Sequence, residues 1–445
     1  MNARKLLVAA ALLAAGALAL YPLCRFATQP DPDALLHLEY LRSTQLPSGA
    51  LAFDRSRTRV IPYFANYTGL ALLRFASDRP AVRRYIEWYL VHLNLPDVYG
   101  LYGSIDDYAV FWGPDGRRYT EVPTNGYDSA DSTGAVFLTL VRRYLQLTGD
   151  WDLYWREVER FDRVAELLLG LQATDGLTFV GKNLPIKYLM DNCETYQGLS
   201  DWAWVQQAAG HPARAERFAQ AATRLQQALL SWPRRGRQGE YPLLAWAVDD
   251  QGKAFPADPR RWYPDAVAQL YPILAGLWPP GGGEATAAYQ AFNQWFPQWD
   301  QLHKPDPHPW VMIALAGRMM GDEERWYNFR AAVRAQYPSL ERPWYSLESS
   351  MYLLTITSIP RRILLPAPLP PATSSVRGTQ PRGPGLIPRW GVAVIRQYLA
   401  PPRPADEVKE TPGGRRDFPL GHQAEGQLPG VRPPRDLLRA GLHPV

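Results

Sequence analysis

One alternation recurs six times between Pro30 and Leu365: two helical segments joined by a tight turn, then a long connecting loop. Few folds accommodate that rhythm. Apolar residues at helical spacing predict twelve helices, at 31–45, 62–76, 79–94, 128–148, 150–171, 190–209, 211–231, 263–277, 283–298, 309–321, 322–337 and 345–357. Turn signals such as Ser77-Asp78-Arg79-Pro80, Thr148-Gly149-Asp150, Gly210-His211-Pro212 and Gly321-Asp322 join them in pairs. The longer connections have strand or hairpin character. They are 98–125 with the turn Gly113-Pro114-Asp115-Gly116, 173–187 with Asp175-Gly176, and 240–258 with Asp249-Asp250-Gln251-Gly252. Six helical hairpins returning by long loops predict an all-α (α/α)6 toroid, with short β-hairpin loops at one mouth. The loops then gather at the N-terminal ends of the inner helices, where an active site is expected.

The flanks are different material. Residues 1–29 open with Met1-Asn2-Ala3-Arg4-Lys5 and continue in an apolar run from Leu6 to Cys24. A basic start before an Ala/Leu run marks an export signal. At roughly 18 residues the run is also near the minimum for a membrane span, so a signal peptide and an N-terminal anchor both fit. Either way the body, residues 30–365, is expected outside the cytoplasm, secreted or membrane-anchored. Leu23 is too large for the small residue that precedes a lipidated cysteine. Residues 366–445 hold 16 of the 42 prolines, with scattered Gly and Arg, which predicts a disordered tail.

The net charge of +5 arises wholly in that tail, which carries 11 basic and 6 acidic residues; residues 1–365 carry 37 of each. The body therefore has no basic stripe for nucleic acid. Two cysteines, Cys24 and Cys193, and seven histidines without paired spacing predict neither a disulfide framework nor a metal site, and no cofactor is expected. Tyr and Trp, at 24 and 16 against 14 Phe, combine flat apolar faces with polar handles, which suits sugar rings.

Two motifs carry the chemistry: Tyr127-Asp128-Ser129-Ala130-Asp131-Ser132-Thr133-Gly134, and Tyr188 through Trp202 with Asp191, Asn192, Cys193 and Glu194. Each places two acids three residues apart at a helix start, on one helix face. The helix dipole and capping alone account for one acid per helix, and Asp128 and Asp191 fit that role. Asp131 and Glu194, one turn in, are poor caps. The other inner helices open with Pro62-Tyr63-Phe64-Ala65-Asn66-Tyr67, Trp262-Tyr263-Pro264-Asp265, His308-Pro309-Trp310 and Tyr345-Ser346-Leu347-Glu348. Polar and aromatic residues thus collect at one end of the predicted ring.

These motifs and the hairpin rhythm over residues 31 to about 360 resemble bacterial members of the six-hairpin glycosidase superfamily. The resemblance implies glycoside hydrolysis of an oligo- or polysaccharide by paired carboxylates, often with inversion, and less often lyase or sugar-epimerase chemistry. Asp131 and Glu194 are expected as general acid and base, with Asp128 and Asp191 orienting substrate. Asp107, beside Asp106 in the loop Tyr102–Tyr108, is a rival base overhanging the same mouth. Tyr63, Tyr67, Trp112, Tyr127, Tyr196, Trp262, Tyr263 and Trp310 are expected stacking platforms. Asn66, Asp265, His308 and Glu348 complete the candidate substrate contacts. A lyase would want basic residues at the mouth, where only Lys182 and Lys187 precede Asp191. A non-catalytic glycan-binding or assembly protein of an exopolysaccharide system is the alternative from another class.

Overall fold

The computed structural model describes residues 31–236 and 241–356. The expected N-terminal segment and C-terminal tail lie outside them. Among the described residues no helix is long and apolar enough to cross a membrane.

The described residues form twelve helices: α1 Pro32–Ser43, α2 Pro62–Leu72, α3 Arg79–Val91, α4 Ala130–Thr148, α5 Trp151–Leu171, α6 Leu189–Ala208, α7 Pro212–Leu230, α8 Tyr271–Leu274, α9 Gly283–Trp295, α10 Val311–Met319, α11 Glu323–Gln336 and α12 Ser346–Ile356. The even-numbered helices pack in cyclic order, each on the next, and α12 closes back onto α2. Odd-numbered helices lie outside: α3 packs on α2 and α4, α5 on α4 and α6, α7 on α6, and α11 on α10. This is the (α/α)6 toroid.

Burial explains the sorting. Every residue of α4 from Ala130 to Leu145 is buried, as befits a helix enclosed on all sides. In α5 burial is confined to one face, through Leu153, Tyr154, Phe161, Val164, Ala165, Leu168 and Leu171. Inner helices approach closely where side chains vanish. A Cβ on Gly198 of α6 would stand 2.6 Å from the Cα and carbonyl oxygen of Ala135 on α4.

The eighth helix departs from expectation. A continuous helix over 263–277 is replaced by a wide turn, Trp262–Ala266, and the four-residue α8. Pro264 and Pro272 interrupt the hydrogen-bond ladder there. The helix expected from 309 starts at Val311, because Trp310 sits in the left-handed region at φ 60°.

The long loops carry the short strands. β1 (Arg59–Val60), β2 (Tyr108–Trp112) and β3 (Tyr119–Pro123) form one antiparallel sheet. β4 (Ile186–Tyr188) pairs with β7 (Ala247–Asp249), which pairs with β8 (Ala254–Phe255). β5 (Arg234–Arg235) and β6 (Leu243–Leu244) form a third, two-stranded sheet.

A polar seam joins the first helix to the last hairpin. Asp33 of α1 accepts from Arg330 at 2.6 Å, Arg334 at 2.8 Å and the Tyr352 hydroxyl at 2.7 Å. His37 stacks on Tyr352 at 3.9 Å and shares a hydrogen bond with Ser349. Burial pushes His37 down to about 3, so it is neutral there.

Candidate active site

Side chains from the starts of the inner helices meet at one end of the ring, and Glu194 lies at the centre. It is 5% exposed, at the first turns of α6. Its Oε1 accepts from the hydroxyls of Tyr63 at 2.7 Å and Tyr67 at 2.5 Å. Those tyrosines are four residues apart on α2, so one helix face aims both at the same oxygen. Its Oε2 is buried with no hydrogen-bond partner among the described residues. Burial, reinforced by the charges of Asp131 and Asp128, pushes Glu194 up to about 8 against the opposing tyrosine hydrogen bonds. A carboxyl in that state keeps its proton at neutral pH.

Asp131, expected as the partner of Glu194, is fully buried. Its Oδ1 accepts from Ser129 Oγ at 2.6 Å and the Ser132 N–H at 2.8 Å, and its Oδ2 from Thr178 at 2.6 Å. Thr178 comes from the loop between α5 and α6, which closes over the carboxyl. Asp131 is thus enclosed by its own hydrogen bonds.

Ser129 also contacts Asp191 Oδ2, at 2.8 Å. A serine hydroxyl has one hydrogen, so with two carboxyl oxygens in reach one contact must be donated by a carboxyl. Asp191 is the one driven upward, by burial and then by the charges of Asp131, Glu194 and Asp128. It is therefore the protonated member. Asp128 is exposed, and its charge reaches Glu194, Asp191, Tyr188, Tyr263 and Asp107. Asp107 is held at about 7, by burial first and then by Asp128. Asp106 is 5% exposed and accepts from Asn94, so of the two loop acids Asp107 is the one under the influence of Asp128.

Aromatic residues wall the far side. Tyr263 feels the charges of Asp128, Asp191 and Glu194, and its ring lies 5.1 Å from Trp310. Trp310 donates through Nε1 to Asp306 at 2.7 Å. Trp262, 3% exposed, packs beneath against Phe292, Phe296 and Trp310. Glu348 holds the N-terminus of α10, accepting from the N–H of Trp310 at 3.1 Å and Val311 at 2.8 Å. That capping explains its burial, which raises it to about 7. His308 places its ring edge-on to Tyr345 and its Nδ1 3.4 Å from the Pro343 carbonyl.

Several expected contacts have other duties. Asn66 is fully buried, donates to the Thr133 carbonyl and accepts from Tyr85, tying α2 to α4 and α3. Tyr196 accepts from Gln226 of α7, away from Glu194, since two residues along a helix turn a side chain to the opposite face. Asp265 receives Arg261 and the Asp258 N–H, fastening its own loop. Tyr127 donates to Asp97 at 2.6 Å, and Trp112 donates to the Arg57 carbonyl beneath the Arg57 guanidinium.

Tyr271, Trp246 and Phe53 are not among the expected contacts, and Tyr188 and Tyr345 stand in the motifs without an assigned role. Tyr271 is hydrogen bonded to Tyr63 and raised by burial and then by the charge of Glu194. Its spacing of eight from Tyr263 was the available signal. Tyr188 faces Asp191, Asp128 and Asp131 and stacks on Trp246 at 5.8 Å. Tyr345 stacks on Phe53 at 4.8 Å, linking α12 to the loop before α2. Trp246 and Phe53 arrive on loops whose pairing no local pattern announces. Among the described residues no group of three or more His, Cys, Asp or Glu is placed to hold a metal ion.

No protein-family model and no curated protein matches the sequence. Solved structures do resemble the fold. A GH63 mannosylglycerate hydrolase from Thermus thermophilus is 12% identical with a TM-score of 0.49, over 73% of this chain and 99% of that one. The endoglucanase Cel10 of Klebsiella pneumoniae, a family 8 glycosyl hydrolase, is 15% identical with a TM-score of 0.46, over 72% and 97%. A rhamnosidase from Klebsiella oxytoca is 13% identical with a TM-score of 0.45, over 74% and 64%. Likenesses this distant leave the chemistry to this chain's own side chains.

Proposed function

We propose that this chain hydrolyses glycosidic bonds of an oligo- or polysaccharide outside the cytoplasm, at the cell envelope, with Glu194 as the proton donor. The environment of Glu194 carries the reading: a buried carboxyl held near 8, with one oxygen fixed by two tyrosines and the other unpartnered among the described residues. Glycoside hydrolysis needs one carboxyl that retains a proton and one carboxylate that meets water. Oε2 of Glu194 is the atom with a proton to give to a leaving oxygen.

The second role moves from Asp131 to Asp128. Asp131 is enclosed and Asp191 holds a proton against Ser129, whereas Asp128 is exposed beside both. Asp128 activates a water, and attack from the face opposite Glu194 gives inversion. Burial and the charges of Asp131 and Asp128 keep Glu194 protonated, while protonated Asp191 holds Ser129. Tyr263 and Trp310 offer faces for a sugar ring. The basic start and apolar run of residues 1–24 support export.

The test incubates the purified protein with a panel of bacterial polysaccharides and measures new reducing ends, alongside Glu194→Gln and Asp128→Asn. Release by the wild type that falls at least a thousandfold in both variants supports the assignment. No release, with glycan affinity unchanged by either substitution, rejects hydrolysis and leaves a glycan-binding module.

A further inference from the structure

The opposite end of the ring carries an unassigned cavity of about 120 Å³. It is lined by Leu70, Leu73 and Arg74 at the end of α2, Arg79 at the start of α3, Arg143 and Leu147 near the end of α4, and Leu354 of α12. Three guanidinium groups and no acid line this space.

Arginines beside a helix C-terminus often bind the terminal carbonyls, and Arg79, from the start of α3, does so for α4, donating to the Leu147 carbonyl at 3.2 Å. Arg74 does not. Its Nε and Nη1 are buried without a hydrogen-bond partner among the described residues, and so is Nε of Arg79. Burial lowers Arg74 to about 10, which still leaves it charged at neutral pH. A buried cation with unfilled donors is costly unless an anion completes it.

We propose that Arg74, Arg79 and Arg143 form a binding site for a phosphate oxyanion at the ring end opposite Glu194. Guanidinium forks match the oxygens of phosphate, and three of them around one small cavity suit a tetrahedral group. The leucines exclude water and strengthen each contact. The phosphate has two sources, the free ion or a lipid headgroup. Asp33, at the start of α1, bonds Tyr352 in the second half of α12, which places the first turn of α1 toward this same end. The export signal or anchor expected from residues 1–29 makes a lipid headgroup the source to test beside the free ion.

The experiment titrates the full chain with inorganic phosphate by calorimetry at constant ionic strength, then with a soluble short-chain phosphatidylglycerol. One site per chain is expected, weakened at least tenfold in Arg74→Met and in Arg79→Met. Arg74→Met deletes an uncompensated buried charge, so in phosphate-free buffer its Tm should equal or exceed that of the wild type. Tighter binding of phosphatidylglycerol assigns the headgroup; tighter binding of phosphate assigns the free ion. Absence of binding to both probes overturns the proposal, as does affinity unchanged in both variants. A lowered Tm of Arg74→Met without phosphate overturns it too, since Arg74 would then already be compensated within the chain.

Discussion

Replacing Glu194 by Gln should make the protein more stable, and increasingly so as pH rises. Unfolded, Glu194 titrates at its ordinary 4.5; folded, at about 8. Between those values the native state holds one proton that the unfolded state has lost. Stability therefore falls with pH through this window, by about 1.4 kcal/mol per unit from this group. Its contribution is fully favourable below 4.5 and fully lost above 8. The accumulated cost is about 3 kcal/mol at pH 7 and about 5 kcal/mol at pH 9. Glutamine is isosteric, stays neutral, and keeps a carbonyl oxygen for Tyr63 and Tyr67, so it removes the slope while preserving the contacts. Removing this charge also relieves Asp191, in the same direction. Urea unfolding of both proteins at pH 5, 7 and 9 measures the difference, in which the other titrating groups largely cancel. The variant should match the wild type near pH 5 and exceed it by several kcal/mol at pH 9. A difference that is flat with pH, or a variant that loses stability at pH 9, refutes the buried, protonated Glu194 on which the proposed mechanism depends.

Three further outcomes follow from the same geometry. Tyr67→Phe removes a hydrogen bond that favours ionised Glu194, so the acid should rise by about one unit. The alkaline limb of a kcat/KM profile on a cleaved glycan should move upward by that amount. Asp33→Asn strips the seam of the charge that Arg330, Arg334 and Tyr352 share, at a cost of about 3–5 kcal/mol by calorimetry or urea unfolding. Gly198→Ala drives a methyl into the backbone of Ala135, at about 1–3 kcal/mol, seen as a lower Tm with the activity profile unchanged in shape.

The helices were legible because inner and outer members obey different rules. α5 and α7 show an apolar stripe, whereas α4 and α6 run largely apolar or small on every side with a few charged or amide residues such as Arg142, Arg143, Asp201 and Gln206, and tight turns punctuate the pairs. The eighth helix misled because Val267, Leu270 and Ile273 keep the helical rhythm although Pro264 and Pro272 break the backbone. At the site, the spacing of Tyr63 and Tyr67 declared a shared face, but Glu194, which that face serves, lies 131 and 127 residues away. Tyr196 could have been set aside from helix geometry alone, since it follows Glu194 by two. Asp131 could not, because the group that encloses it, Thr178, belongs to a loop without periodicity. Glu348 read as a substrate contact because the N–H groups it caps belong to another helix, whose start is displaced by the left-handed Trp310.

The Asp33 seam also governs how the molecule can be built and altered. Stacks of helical hairpins that stay open can gain or lose a repeat and need polar end units. Here the two end surfaces cover each other, so neither needs to be polar, and the number of hairpins is fixed. Joining residues about 300 positions apart carries a loop-closure entropy of about 5 kcal/mol, which must be met before the seam returns any contact. Closure is thus expected late in folding, and opening between α1 and α12 early in unfolding. Deleting one hairpin would leave a gap rather than a smaller ring, so this architecture changes through its loops, which carry Asp107, Asp128 and part of the aromatic wall.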